Sequence, residues 1–151
     1  MLFLFVSEEA SGICRPPYGS SKVNQLQGSS GTFFTPGYPV PYPNQSTCLW
    51  IITVPSRKKV ELKFEDFDLE RFFSSCKQPT NANVYVQIRD GQDQESKELV
   101  PHCGYYTSSR HPDVYSSGRY MWVKFYSNSQ NSLAKGFKAH FEAVDLRKYY
   151  H

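Results

Sequence analysis

Gly31-Thr-Phe-Phe-Thr-Pro-Gly-Tyr-Pro-Val-Pro-Tyr-Pro-Asn44, followed by Cys48-Leu-Trp-Ile-Ile-Thr-Val-Pro55, decides how this chain is read. Glycine and proline fix turns in the first segment, and aromatic side chains punctuate them. The second segment alternates. Cys48, Trp50, Ile52 and Val54 share one face of a strand, and Leu49, Ile51 and Thr53 share the other. Such a stretch anchors a sheet and offers no catalytic chemistry. Trp50, in phase with Cys48 and Ile52, is expected in the core.

The same period of two recurs downstream. Val60, Leu62 and Phe64 alternate with Lys59, Glu61 and Lys63. Val84, Val86 and Ile88 alternate with Tyr85, Gln87 and Arg89, and Asp90-Gly91 supplies a turn. Met121, Val123 and Phe125 alternate with Tyr120, Trp122, Lys124 and Tyr126, and Phe137, Ala139 and Phe141 with Lys138, His140 and Glu142. No window carries a helical period. The expectation is an all-β protein, an antiparallel two-sheet β-sandwich. Residues 15–30, rich in Pro, Gly, Ser and Gln, read as a loop or extended lead-in, and the polar tail 145–151 is expected to fray.

A length of 151 residues suits one domain with its own core. Aromatic residues form 16% of the chain against 39% hydrophobic residues, so rings rather than aliphatic helices are expected to fill that core. The net charge of +3 comes from 17 basic and 14 acidic side chains that are interspersed, which is no footprint for nucleic acid. The opening Met1-Leu-Phe-Leu-Phe-Val6 is too short for a signal-peptide core and has no basic region before it. Residues 1–13 therefore read as a lead-in, either the remnant of a truncated signal peptide or simply the end of the chain as given. No run approaches the roughly 18 apolar residues of a membrane span.

The four cysteines, Cys14, Cys48, Cys76 and Cys103, stand 34, 28 and 27 residues apart. No CxxC pair exists, which argues against a zinc ribbon or a thioredoxin-like site. An even number of distant cysteines points to two disulfides in an oxidising compartment, with three pairings open. Asn44-Gln45-Ser46 is an N-glycosylation sequon in a turn-rich segment, as in a secreted glycoprotein.

Nothing here reads as catalytic. His102, His111, His140 and His151 lie in no HExxH helix and beside no recognisable nucleophile. No glycine-rich phosphate loop and no paired-carboxylate motif is present, so neither an enzyme nor a cofactor is expected. Asp66, Asp68 and Glu70 form a spaced acidic series whose ordinary reading is a solvated strand end. Partner binding is expected on the face carrying Tyr120, Trp122, Lys124 and Tyr126, joined by Tyr85 and Arg89. Aromatics and arginine anchor protein interfaces. On this reading Trp122→Ala weakens partner binding without unfolding the chain; the alternative is a Trp122 packed beneath an inserted loop. The basic turn Arg57-Lys58-Lys59 offers contact to an acidic glycan such as heparan sulfate.

These residues together resemble one family, the CUB domain. The resemblance rests on Gly31-Thr-Phe33, Thr35-Pro-Gly-Tyr-Pro39, Tyr42-Pro-Asn44 and Cys48-Leu-Trp50-Ile51, then Phe64 and Phe67-Asp-Leu-Glu70. It continues through Tyr85-Val86-Gln-Ile88-Arg-Asp90-Gly91, Cys103-Gly104, Ser116-Ser-Gly118, Val123-Lys-Phe125 and Gly136-Phe137, all in the family's order. The resemblance implies a single jelly-roll-type β-sandwich over residues 14–144, with Cys14 bridged to Cys48 and Cys76 to Cys103. It also implies an extracellular module that binds a protein ligand or receptor subunit, as part of a larger secreted or membrane-anchored receptor. Two other settings fit it: a non-catalytic regulatory piece of an extracellular protease, and a glycan-binding module. The chain departs from the family in a longer stretch before Gly31 and in extra residues around Lys77 to Ala82. Many members bind calcium through three carboxylates. Here Glu70 stands at one of those positions, but Val84 and Asn128 stand where the aspartates would be, and a register slip would bring in only Asn83. Valine offers no oxygen and asparagine no charge, so calcium-independent recognition is expected.

Overall fold

The computed structural model describes residues 23–42, 46–69, 84–102, 113–128 and 133–147. Nine strands are found among them: β1 (Asn24–Gln27), β2 (Ser30–Phe34), β3 (Ser46–Thr53), β4 (Lys58–Asp68), β5 (Val84–Asp90), β6 (Lys97–His102), β7 (Val114–Tyr115), β8 (Tyr120–Ser127) and β9 (Gly136–Asp145). They form a five-stranded sheet, ordered β1-β3-β8-β5-β6, and a four-stranded sheet, ordered β2-β9-β4-β7. The two sheets pack face to face as the expected sandwich. No helix among the described residues is long and apolar enough to cross a membrane.

Each expected alternating segment is a strand with its apolar phase inward. Cys48, Trp50 and Ile52 of β3, Val60, Leu62 and Phe64 of β4, Met121, Val123 and Phe125 of β8, and Phe137, Ala139 and Phe141 of β9 are all buried in one core. Trp50 is fully buried, as its phase requires. The lead-in differs from expectation. Asn24–Gln27 is not a loop but an edge strand, and it runs parallel to β3 with Leu26 opposite Ile52. Its pairing satisfies backbone groups that the Pro- and Ser-rich composition around it does not advertise.

Aromatic side chains do fill the centre. The Phe137 ring lies between 5.3 and 6.3 Å from the rings of Phe33, Trp50, Phe64, Phe67 and Phe125, mostly edge to face. Such geometry adds about 0.5–1.5 kcal/mol per pair beyond burial. Phe33 and Trp50 tilt together at 4.9 Å, and Tyr42 meets Phe125 edge-on at 5.2 Å.

The glycine–aromatic stretch works through two close approaches. At Gly31 a Cβ would sit 2.6 Å from the Phe141 ring of the paired strand, so the missing side chain is what lets that ring lie across β2. Beyond β2, the fully buried Thr35 extends the pairing. Its N–H donates to the Phe137 carbonyl at 3.1 Å, and its Oγ1 accepts from the Phe137 N–H at 3.0 Å. Gly136 precedes Phe137 at φ 96°, where its Cβ would lie 1.9 Å from Thr35 Oγ1. Gly136→Ala should therefore destabilise the domain by about 2–3 kcal/mol, from left-handed strain and a displaced buried hydroxyl. A fall in the urea midpoint at unchanged slope checks this.

Candidate functional site

The outer faces of the two sheets differ in chemistry. On the four-stranded sheet the outward side chains pair with one another, two of the pairs joining different segments and one lying within β9. Lys63 pairs with Asp113 at 3.6 Å, Lys138 with Glu65 at 3.5 Å, and His140 Nε2 with Glu142 at 3.5 Å. Tyr115 donates its hydroxyl to Glu61, and Lys59 lies over the Tyr115 ring at 5.4 Å. Thr32 Oγ1 meets His140 Nδ1 at 3.2 Å, so hydroxyl, imidazole and Glu142 carboxylate stand in line. Thr32 and His140 are register partners in mid-strand, which makes this a cross-strand pair of the sheet surface.

The five-stranded sheet presents aromatic rings and cations instead. Strand register sets them in rows: Arg89 beside Trp122 beside Ile51, Gln87 beside Lys124 beside Leu49, and Tyr85 beside Tyr126. Tyr85 and Tyr126 stack at 5.2 Å, and the Lys124 ammonium lies 5.9 and 6.0 Å from their centroids. The Arg89 guanidinium lies 5.6 Å from the Trp122 ring and donates to the Ser96 carbonyl at 2.9 Å. Arg119 covers the Tyr120 ring at 5.4 Å. Cations over rings hold both in place and keep the rings' edges available.

All of the expected partner-binding residues therefore share one outward face, but two are not accessible there. Trp122 is 5% exposed and Tyr85 is 6% exposed. Burial pushes the Tyr85 phenol pKa up. Alternation assigns a side chain to a face; it says nothing of what lies over that face. The half-exposed members are Arg89, Tyr120, Lys124 and Tyr126, with Leu49 and Ile51 beside them. Sequence reasoning missed Glu98, the register partner of Arg89 on β6. Glu98 Oε2 and Arg89 Nε are both buried with no hydrogen-bond partner. β6 shows no clean alternation, so no local signal marked Glu98.

Two of the expected calcium positions lie among the described residues. Val84 is 0% exposed and part of the core, and Asn128 offers one exposed neutral amide. Glu70 and Asn83 lie outside the described residues, as do Cys14, Cys76, Cys103 and Asn44. Cys48 is buried and disulfide-bonded.

The nearby carboxylates are engaged otherwise. Asp66 accepts the Tyr38 hydroxyl at 2.5 Å and pairs with Lys135 at 2.9 Å, and Asp68 accepts the Lys135 N–H at 3.0 Å. They tie the β2–β3 loop to the start of β9 rather than forming a solvated end. Burial raises the Asp66 pKa, but the hydrogen bonds from Tyr38 and Lys135 and the Lys135 charge outweigh it and leave the carboxyl below its usual range. The Tyr38 phenol is pushed up to about 12, first by its hydrogen bond to Asp66 and then by burial. Because the folded value lies above the ordinary 10.0, this stabilisation is complete below pH 10 and is lost as pH rises through about 12. Tyr38→Phe should flatten the decline in melting temperature over that window, as thermal melts in an alkaline series would show.

Comparison with known proteins gives the same architecture. Cubilin from the pig (Sus scrofa) is 35% identical over 113 residues, which is 75% of this chain and 3% of cubilin. Among solved structures, the CUB1-EGF-CUB2 domains of rat MASP-1 superpose with a TM-score of 0.67 at 32% identity, covering 82% of this chain and 43% of that one. The full extracellular region of zebrafish Gpr126/Adgrg6 gives 0.63 at 28% identity, covering 83% and 15%. Residues 21–141 match the family model of the CUB domain, and the chain belongs to that family.

Proposed function

We propose that this chain is a calcium-independent protein-recognition module of an extracellular protein, secreted or part of an ectodomain, and that it binds its partner through the outer face of the five-stranded sheet. The CUB domain is a non-catalytic module that mediates extracellular protein interactions. The observation that carries the choice of face is the contrast between the two outer surfaces. One is closed by its own cross-strand ion pairs; the other offers Tyr120, Lys124 and Tyr126 half-exposed beside Leu49 and Ile51. Aromatic residues are enriched at the centres of protein interfaces. The proposal takes the domain as residues 14–144, with Cys14–Cys48 and Cys76–Cys103 bridges and a glycan on Asn44.

The test is selection of partners for the oxidised chain from displayed extracellular proteins, followed by two variants. Tyr120→Ser with Lys124→Glu and Tyr126→Ser should lower affinity at least about tenfold, the effect of roughly 1.4 kcal/mol. Lys63→Glu with Lys138→Glu, on the other sheet, should leave it unchanged. The reverse pattern would move the site to the four-stranded sheet. Calcium and a chelator should give the same affinity and the same melt. An ion present at 100 times its dissociation constant would add about 2.7 kcal/mol and several degrees, and that shift would refute calcium independence.

A further inference from the structure

At the end of the sandwich where β3 turns into β4, the chain gathers cations that are far apart in sequence. Lys58 opens β4 opposite Asp145, the last residue of β9, and Arg147 follows two residues later. Arg57 and Lys58 are exposed, and the Arg147 side chain is 89% exposed. Arg119 reaches the same turn, donating its Nε to the Val54 carbonyl at 3.0 Å. Asp145 is the carboxylate among them. It accepts the Arg147 N–H at 2.8 Å and lies 3.8 Å from the guanidinium. Its carboxyl is held below the usual range by that N–H first, and, against burial, by the charges of Arg147, Lys58 and Lys59. Of the other carboxylates near this end, Asp90 at the end of β5 accepts from the Ser117 N–H at 2.8 Å, and Asp93 in the β5–β6 turn accepts from the Glu95 N–H at 2.9 Å.

Arg57 adds an independent observation. It holds φ at 69°, and no other described non-glycine residue has a positive φ. Glycine or asparagine rests in that region at less cost, so an exposed arginine there is a strained choice with no packing return. The strain aims a guanidinium outward from the tip of the turn.

We propose that this end of the sandwich, built on Arg57, Lys58, Arg119 and Arg147, binds a sulfated glycosaminoglycan. The cations are spread over an exposed corner, so a small anion meets one or two of them and is screened by salt. A linear polyanion meets them together and releases counterions as it does. Guanidinium groups suit sulfate because they present two parallel donors. An anionic bilayer would need an apolar face to insert, and Leu146 is the sole exposed large hydrophobic residue near this corner among the described residues. Arg119, which also lies over the Tyr120 ring, borders the aromatic face of the five-stranded sheet, whereas Arg57, Lys58 and Arg147 stand outside it; beyond that border the two readings share only the extracellular setting.

Immobilised heparin is the probe, with the oxidised chain applied in rising salt. The chain should be retained at about 50 mM salt and largely released by about 200 mM. Arg57→Gly with Lys58→Ser and Arg147→Ser should lower the affinity at least about tenfold. Lys63→Ser with Lys138→Ser removes charge from the outer sheet face instead and should leave most of the affinity. Arg57→Gly alone should weaken retention while its melting temperature holds or rises, because the substitution relieves strain; this variant decides the matter should the triple variant fail to fold. Equal loss in both multiple variants would reduce the effect to net charge and overturn the site. So would no retention at the lower salt, or capture by phosphatidylserine vesicles without capture by heparin.

Discussion

Phe137→Ala should cost about 3–5 kcal/mol, toward the upper end for a phenylalanine truncation. The Phe137 ring is fully buried and touches both sheets: Phe33, Phe64 and Phe67 belong to the four-stranded sheet with it, and Trp50 and Phe125 come from the five-stranded one. Its removal leaves a cavity walled by rigid rings, which relax little because their own edge-to-face contacts hold them. The urea midpoint should fall with the slope unchanged, and the melt should drop by about 10 °C or more for a domain of this size. Phe137→Leu should recover part of the loss. An alanine variant within about 1 kcal/mol of the parent would mean the rings re-pack freely, and the description of this core would fail.

Trp122→Ala should be nearly as damaging, at about 3–5 kcal/mol, although Trp122 points away from that core. Its phase on β8 puts it on the outer face, yet it is 5% exposed, with the Arg89 guanidinium over the ring and Ile51 and Arg89 as register partners. Truncation removes the ring's burial and takes the ring from under Arg89, which keeps its bond to the Ser96 carbonyl but has a buried Nε already unbonded. This inverts the expectation from alternation alone, under which the variant keeps its stability and loses a partner. Thermal melts separate the two. A melting temperature near that of the parent, together with weakened partner binding, would restore Trp122 as a contact residue. A large drop makes it structural and leaves Tyr120, Lys124 and Tyr126 as the side chains to mutate.

How far each feature could be read ahead depended on how local its cause is. The strand of Val60, Leu62 and Phe64 and that of Met121, Val123 and Phe125 follow from a two-residue period, which needs no knowledge of the rest of the chain. β1 follows from nothing local. Of its four residues Leu26 is the apolar one, and its parallel pairing with β3 exists only because the chain returns to the sheet edge. The Tyr38–Asp66–Lys135 cluster likewise joins a loop, a strand end and a strand start, so the spaced acidic series could not show its partners in advance.

The sequence by itself determined the five alternating strands β3, β4, β5, β8 and β9, the phase of each, the aromatic make-up of the core and the family, because alternation and turn chemistry act between near neighbours. It also determined that Val84 supplies no oxygen. The tertiary structure decided what lies over each face. It buried Trp122 and Tyr85, left Tyr126 and Lys124 half-exposed, paired charges on the other sheet, and set Asp145, the partner of Arg147, opposite Lys58. Exposure and charge clustering depend on which distant segments meet, and that is set by the packing of two whole sheets rather than by the period of any one strand.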